Sequence, residues 1–128
     1  MGMYTELVLK CEVRGDAPIE VMEVIGNLFG QQQEPESLPN HEFFKCQRWD
    51  FIGKHDSTST MKVRPWSLRG DLEIFSYSSL KNYDSEIEKF IDWITPYLCY
   101  SHKKCIGWSW YEEEDKPKLI IIKAGEQA

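Results

Sequence analysis

The sequence has no long apolar run, no basic leader and no glycine-rich loop ahead of a helix. The longest aliphatic run is Leu119 to Ile122, far short of the ~20 residues that cross a bilayer as a helix. The first residues lack a basic stretch followed by an apolar one, so nothing marks the chain for export. A soluble, cytoplasmic protein is therefore expected, with its four cysteines reduced rather than paired. Gly26 and Gly30 fall on or at the end of a predicted helix, where they cannot form a phosphate cradle. Cations are scarce. Lys and Arg number 15 against 21 Asp and Glu, a net charge of -6, which argues against nucleic acid as the default partner, because phosphate contacts need cations to displace counterions. No pair of carboxylates or of His and Cys has a placement suited to acid–base work, so no catalytic residue and no cofactor are expected.

What is present is a globular composition, 41% hydrophobic and 13% aromatic over 128 residues, enough for one domain with its own core. The charge is uneven. Residues 1–44 carry a net -6, residues 45–69 a net +4 and residues 70–128 a net -4, so the middle is the one basic stretch.

Tyr4 to Val13 alternates, with Thr5, Leu7, Leu9, Cys11 and Val13 on one side, the period-2 signature of a strand buried on one face. Asp16 and Pro18 open a helix whose apolar face is Ile19, Val21, Met22, Ile25, Leu28 and Phe29, with Gly30 as its stop. Residues 31–42, with Pro35 and Pro39, are expected to form a flexible loop. A strand is placed around Arg48 to Gly53, and Met61 to Trp66 reads as another strand or an irregular edge after a polar tract. Asp71 to Ser79 is a strand with Leu72 and Ile74 on one face and Phe75 and Tyr77 on the other, covered on both sides or shifted by a bulge. Asp84 to Leu98 is an amphipathic helix capped by Asp84 or Asn82, with Ile87, Phe90, Ile91, Ile94 and Leu98 at helical spacing. An aromatic strand (Ile106, Trp108, Trp110), an acidic turn (Glu112 to Asp115) and an apolar strand (Leu119 to Ile122) follow, and residues 124–128 are expected to be a disordered tail.

That order predicts an α+β ferredoxin-like sandwich, two helices packed on one face of an antiparallel sheet of four to six strands, over a single domain spanning 1–128. The other sheet face is then left for an aromatic patch if Trp49, Trp66, Trp108 and Trp110 are not all core.

Asn82-Tyr83-Asp84, Glu86-Ile87-Glu88, Phe90, Asp92-Trp93 and Pro96-Tyr97 resemble a family of small uncharacterised proteins of bacteria and their phages. So do Gly107, Tyr111-Glu112-Glu113, Asp115, Pro117, Leu119 to Ile121 and the opening Thr5 to Lys10. The resemblance covers the two ends of the chain, about half of it. The family has no established activity, so it implies no catalytic residue, and the loop from Cys99 to Cys105 departs from its pattern.

That loop sets Cys99, His102 and Cys105 within seven residues, and Cys46 or His41 could complete four ligands. A structural zinc site normally shows two close clips, and the second is missing here, so reduced thiols are the expected state and zinc is not an expected ligand. His55-Asp56-Ser57 is no triad, since neighbours in sequence point in different directions. The turn Glu112, Glu113, Glu114, Asp115 lacks the alternating ligands and central glycine of a calcium loop. Arg48, Lys54, Lys62, Arg64 and Arg69, interleaved with Trp49, Phe51 and Trp66, have the composition of a phosphate-gripping, base-stacking surface, weighed against scattered solvated cations.

The favoured expectation is a small acidic module that binds a protein partner through Trp66, Trp108, Trp110 and the Glu112 to Asp115 turn. An inhibitor of a bacterial defence nuclease carried by a phage or mobile element is one form of it. A small-molecule or enzyme domain using the open sheet face, and a self-associating structural protein, are the alternatives.

Overall fold

The computed structural model describes residues 4–54, 57–100 and 102–123. Its order is β1 (Thr5–Val13), α1 (Ile19–Phe29), β2 (Ser57–Val63), β3 (Leu72–Leu80), α2 (Glu86–Ile94), β4 (Lys104–Tyr111) and β5 (Lys118–Ile122), with short 3-10 turns at Glu42–Lys45, Trp49–Phe51 and Thr95–Tyr97. The strands form one antiparallel sheet in the order β2-β3-β1-β4-β5. Over the described residues the fold is thus α+β, with one five-stranded antiparallel sheet and two α-helices. None of the described helices is long and apolar enough to cross a membrane.

Alternation in β1 decides which side is covered. Thr5, Leu7, Leu9, Cys11 and Val13 are buried, opposite Leu80, Ser78, Ser76, Ile74 and Leu72 of β3. They share one core with Val24, Ile25 and Leu28 of α1 and Ile87, Phe90 and Ile94 of α2. Phe43 lies at its centre, stacked on Trp93 at 6.0 Å and edge-on to Phe90 at 5.4 Å and Trp49 at 6.1 Å. Full burial of a side chain of this size is worth about 1.5–3 kcal/mol.

Gly107 is required where β4 meets β1. Its φ of 153° lies outside the range L side chains favour, and a Cβ there would sit 1.9 Å from the Val8 carbonyl oxygen. The β4–β5 register shifts between Cys105 and Gly107, and this bulge turns Ile106 into the core.

Several expectations are corrected. No strand forms around Arg48 to Gly53. Trp49–Phe51 is a 3-10 turn held by Trp49 N–H donating to Cys46 O (3.3 Å) and Phe51 N–H to Arg48 O (3.1 Å), because Trp49 packs inward among Phe43 and Phe44. The polar tract after it begins β2 rather than interrupting the sheet, since Ser and Thr suit an edge strand half in water. Asp16 does not cap α1: its carboxylate is taken by Arg14 at 3.0 Å, and Pro18 precedes the helix with no side-chain cap. At α2 the capping oxygen is Asn82 Oδ1, which accepts from Ile87 N–H at 2.8 Å. The helix then tightens at Thr95–Tyr97, beside Pro96. His55 and Asp56 of the discounted triad, and the tail 124–128, lie outside the described residues.

Candidate functional site

The face of the sheet turned away from the core carries a cross-strand row. Thr58, Tyr77, Val8, Trp108 and Leu119 are consecutive register partners from β2 to β5. Phe75 is 48% exposed, Tyr77 39% and Leu119 58%. Trp108 and Trp110, half-buried, meet edge to face at 6.1 Å. Around this apolar row lie Glu6, Lys10, Glu12, Lys62 and Glu73, one residue out of phase with the buried positions. Val8, Lys10, Phe75, Tyr100, Lys104 and Trp108 are among the residues lining an open groove of about 920 Å³ across it.

Arg64 lines both this groove and the β2–β3 loop that follows it. Its guanidinium pairs with Glu12 at 3.2 Å and Glu73 at 3.9 Å. Two residues later Trp66 is 98% exposed, and Leu68 is fully exposed. Trp66 has φ 72°, left-handed backbone that a bulky residue seldom adopts. The loop is nonetheless pinned. Arg64 N–H donates to Asp71 O (2.8 Å) and Ser67 N–H to Arg64 O (3.2 Å), while Asp71 N–H donates to Ser67 Oγ (2.9 Å). Asp71 itself is buried, and its Oδ1 accepts from Gly15 N–H at 2.7 Å and Arg69 Nε at 2.8 Å. The Arg69 hydrogen bond leads in holding the Asp71 carboxyl down at about 2, assisted by the Gly15 amide and opposed by burial.

The acidic turn is fastened at its first residue. Glu112 Oε1 accepts from Tyr4 N–H (2.9 Å) and Glu112 N–H donates to Tyr4 O (3.0 Å). Trp110 Nε1 donates to Glu114 O at 2.8 Å. The side chains of Glu113, Glu114 and Asp115 are exposed.

The predicted basic stretch does not gather into one surface. Lys62 and Arg64 lie by Glu73 on the open face, at 3.7 and 3.9 Å, and Arg69 closes the loop on Asp71. Lys54 reaches Asn27 at 3.1 Å and Asp50 at 3.8 Å, and Arg48 sits 5.9 Å over the Phe51 ring. Trp49, one of the interleaved aromatics, is core.

Nor do the candidate metal ligands converge. Cys46 is buried, with Sγ 3.7 Å from Asp84 O and 3.9 Å from Glu42 O. Both His41 nitrogens are engaged, Nδ1 accepting from Phe43 N–H at 3.0 Å and Nε2 facing Asp92 at 2.9 Å. Cys99 lies near Asp71, and burial, then the charge of Asp71, pushes its thiol up to about 11. His102 and Cys105 are exposed, with Cys105 Sγ donating to Gly107 O at 3.5 Å. Burial likewise pushes Cys11 up to about 12. Cys11 and Cys99 thus stay protonated at neutral pH, the unreactive form. Among the described residues no group of three His, Cys, Asp or Glu could hold a metal.

Sequence reasoning missed Leu68, Asp71, Val8 and the outward use of Phe75 and Tyr77. The alternation of β3 did carry the signal for the last two. Leu68 had none, because a single leucine between polar residues looks like any other.

No family model, curated protein or solved structure matches the chain.

Proposed function

We propose that the chain is a protein-binding module whose recognition surface joins the Trp66–Leu68 loop to the aromatic row of the open sheet face. One observation carries this reading: two large apolar side chains stand fully in water on a loop that a buried aspartate, its arginine and main-chain hydrogen bonds hold in place. A loop that needed only to connect β2 to β3 would gain nothing from a tryptophan on left-handed backbone, whereas a fixed, solvent-facing Trp is the residue type that anchors interfaces. Phe75, Tyr77 and Trp108 extend the apolar area beyond that anchor.

The net charge of -6 suits a basic partner surface. An inhibitor of a bacterial defence nuclease, carried by a phage or mobile element, is the narrower form of the reading, supported by that charge and by the resemblance at the two ends of the chain. The strand order β2-β3-β1-β4, with helices after β1 and β3, supports assignment to the ferredoxin-like sandwich with β5 added at one edge. A cytoplasmic location accompanies the proposal.

The test is capture from a lysate of the source organism on immobilised protein at low and high salt, followed by reconstitution with the purified captured protein. A complex that forms from the two pure components supports the reading. Retention of nothing specific at either salt concentration refutes it.

A further inference from the structure

We infer that the groove across the open sheet face binds single-stranded nucleic acid, taking bases on Phe75 and Trp108 and phosphates on Lys10 and Lys104. The inference goes beyond the protein-binding reading. The two share the rings of this face but differ in their anchors, Trp66 for a protein and Lys10 for a phosphate.

Charge in the groove runs against charge in the chain. The chain carries a net -6, yet the charged residues lining the groove are four cations, Lys10, Lys62, Arg64 and Lys104, and two carboxylates, Glu12 and Glu73. Both carboxylates are already engaged, Glu12 by Arg64 at 3.2 Å and Glu73 by Lys62 at 3.7 Å and Arg64 at 3.9 Å. Glu6, on the same face, lies outside the groove opposite Trp110. Lys10 and Lys104 are exposed and pair with no carboxylate among the described residues, and Lys104 Nζ sits 5.5 Å over the Tyr100 ring. The groove thus holds a surplus of two cations, complementary to an anionic chain.

Rings and cations alternate across the strands as bases and phosphates alternate along a nucleic acid. Phe75 is the register partner of Lys10, one strand spacing of about 5 Å away, with exposed Thr60 on its other side. Trp108 is the register partner of Val8 on the far flank of β1, which sets it roughly 7–8 Å diagonally from Lys10. A base stacked on either ring therefore has Lys10 beside it for a phosphate. The rings stand on β3 and β4, two strand spacings or about 10 Å apart, so each can take its own base. Such stacking accepts any base, because every base has a π-face. An acidic peptide would satisfy the two lysines, but its carboxylates have no surface to stack on Phe75 and Trp108. A duplex hides the base faces in its own stack.

Fluorescence anisotropy of a labelled oligo-dT of about ten nucleotides, titrated with the full chain, tests this. Binding should saturate at low salt and weaken about 25-fold for a tenfold rise in salt, from a slope of about -0.7 per phosphate over two phosphates. Lys10→Glu and Phe75→Ala should each weaken it about tenfold, and Phe75→Trp should preserve it. Lys10→Glu should also flatten the salt dependence. A hairpin duplex and an oligo-glutamate peptide should each bind at least about tenfold more weakly than oligo-dT. Trp66→Asn should bind oligo-dT like wild type, so failure here and failure of the protein-binding reading are read separately. Circular dichroism confirms the fold of each variant, and should one fail to fold, the other carries the test alone. No saturable binding with protein up to about 1 mM at low salt overturns the inference. So does binding that survives intact in the folded Lys10 and Phe75→Ala variants, or equal binding of the duplex or the oligo-glutamate peptide.

Discussion

On the covered side of β1, Leu7, Leu9, Cys11 and Val13 are sealed against two helices. One residue out of phase, Val8, Lys10 and Glu12 line an open groove shared with Phe75 and Trp108, and Glu6 and Tyr77 lie on the same face. Aromatic density is high on both sides, yet the rings do different things. Phe43, Trp49, Phe90 and Trp93 are buried and pack edge to face or stacked in a closed cluster, whereas Phe75 and Tyr77 stand beside charges and water. The difference teaches that in this chain the position of an aromatic residue, not its type, decides whether it packs in the core or stands on the open face.

Truncation should break that comparison open most widely. Phe43→Ala leaves a cavity among four rings and should cost about 3–5 kcal/mol in urea unfolding, while Phe75→Ala on the open side should cost under about 1 kcal/mol. Equal losses would mean that the two faces are not differently used.

The next effect concerns the anchor of the loop. With its carboxyl held near 2 against an ordinary value of 3.8, Asp71 contributes stability that is present above the unfolded value and disappears as pH falls through about 4 to 2. The expected size is up to about 2 kcal/mol, reduced by solvent screening of the half-exposed Arg69. Asp71→Asn should therefore be less stable than wild type at pH 7 and should approach it near pH 2, measured by paired denaturant curves. A gap independent of pH would contradict the charge-based account.

A smaller test lies on the covered side. The Ser78 hydroxyl is buried with no hydrogen-bond partner among the described residues, so Ser78→Ala should stabilise the fold by about 1 kcal/mol. The smallest stability effect belongs to the loop tip. Trp66→Asn relieves left-handed strain and should leave stability unchanged or raise it by a few tenths to about 1 kcal/mol. A clear loss would show that Trp66 packs into the fold.

The covered face was the more legible of the two. Clean alternation in Tyr4 to Val13 and three-four spacing in Ile87 to Ile94 both follow from burial on one side, and both elements form. Elements that sit in water left weaker patterns. Ser57–Val63 was split because an edge strand needs no apolar face, and Arg48 to Gly53 imitated a strand because Trp49 and Phe51 supply aromatic density to a 3-10 turn. Of the candidate site residues, Trp66, Trp108 and Trp110 are singled out by type alone, and the fold places the first in solvent and the other two half-buried on the open face. Leu68 and Asp71 were not legible, because their roles arise from a loop conformation fixed by Gly15, Ser67 and Arg69 from two different segments. The Cys99 to Cys105 loop was legible as a cluster in sequence but not in space, since Cys46 belongs to the opposite, aromatic end of the core.

The most direct test of the central claim, that the Trp66–Leu68 loop exists to contact a partner, is a quantitative comparison of proteins captured by wild type and by Trp66→Asn from the same lysate. At least one protein abundant on wild type should be depleted about tenfold or more on the variant, the size expected for loss of an interface anchor. Identical captures on the two proteins would contradict the claim.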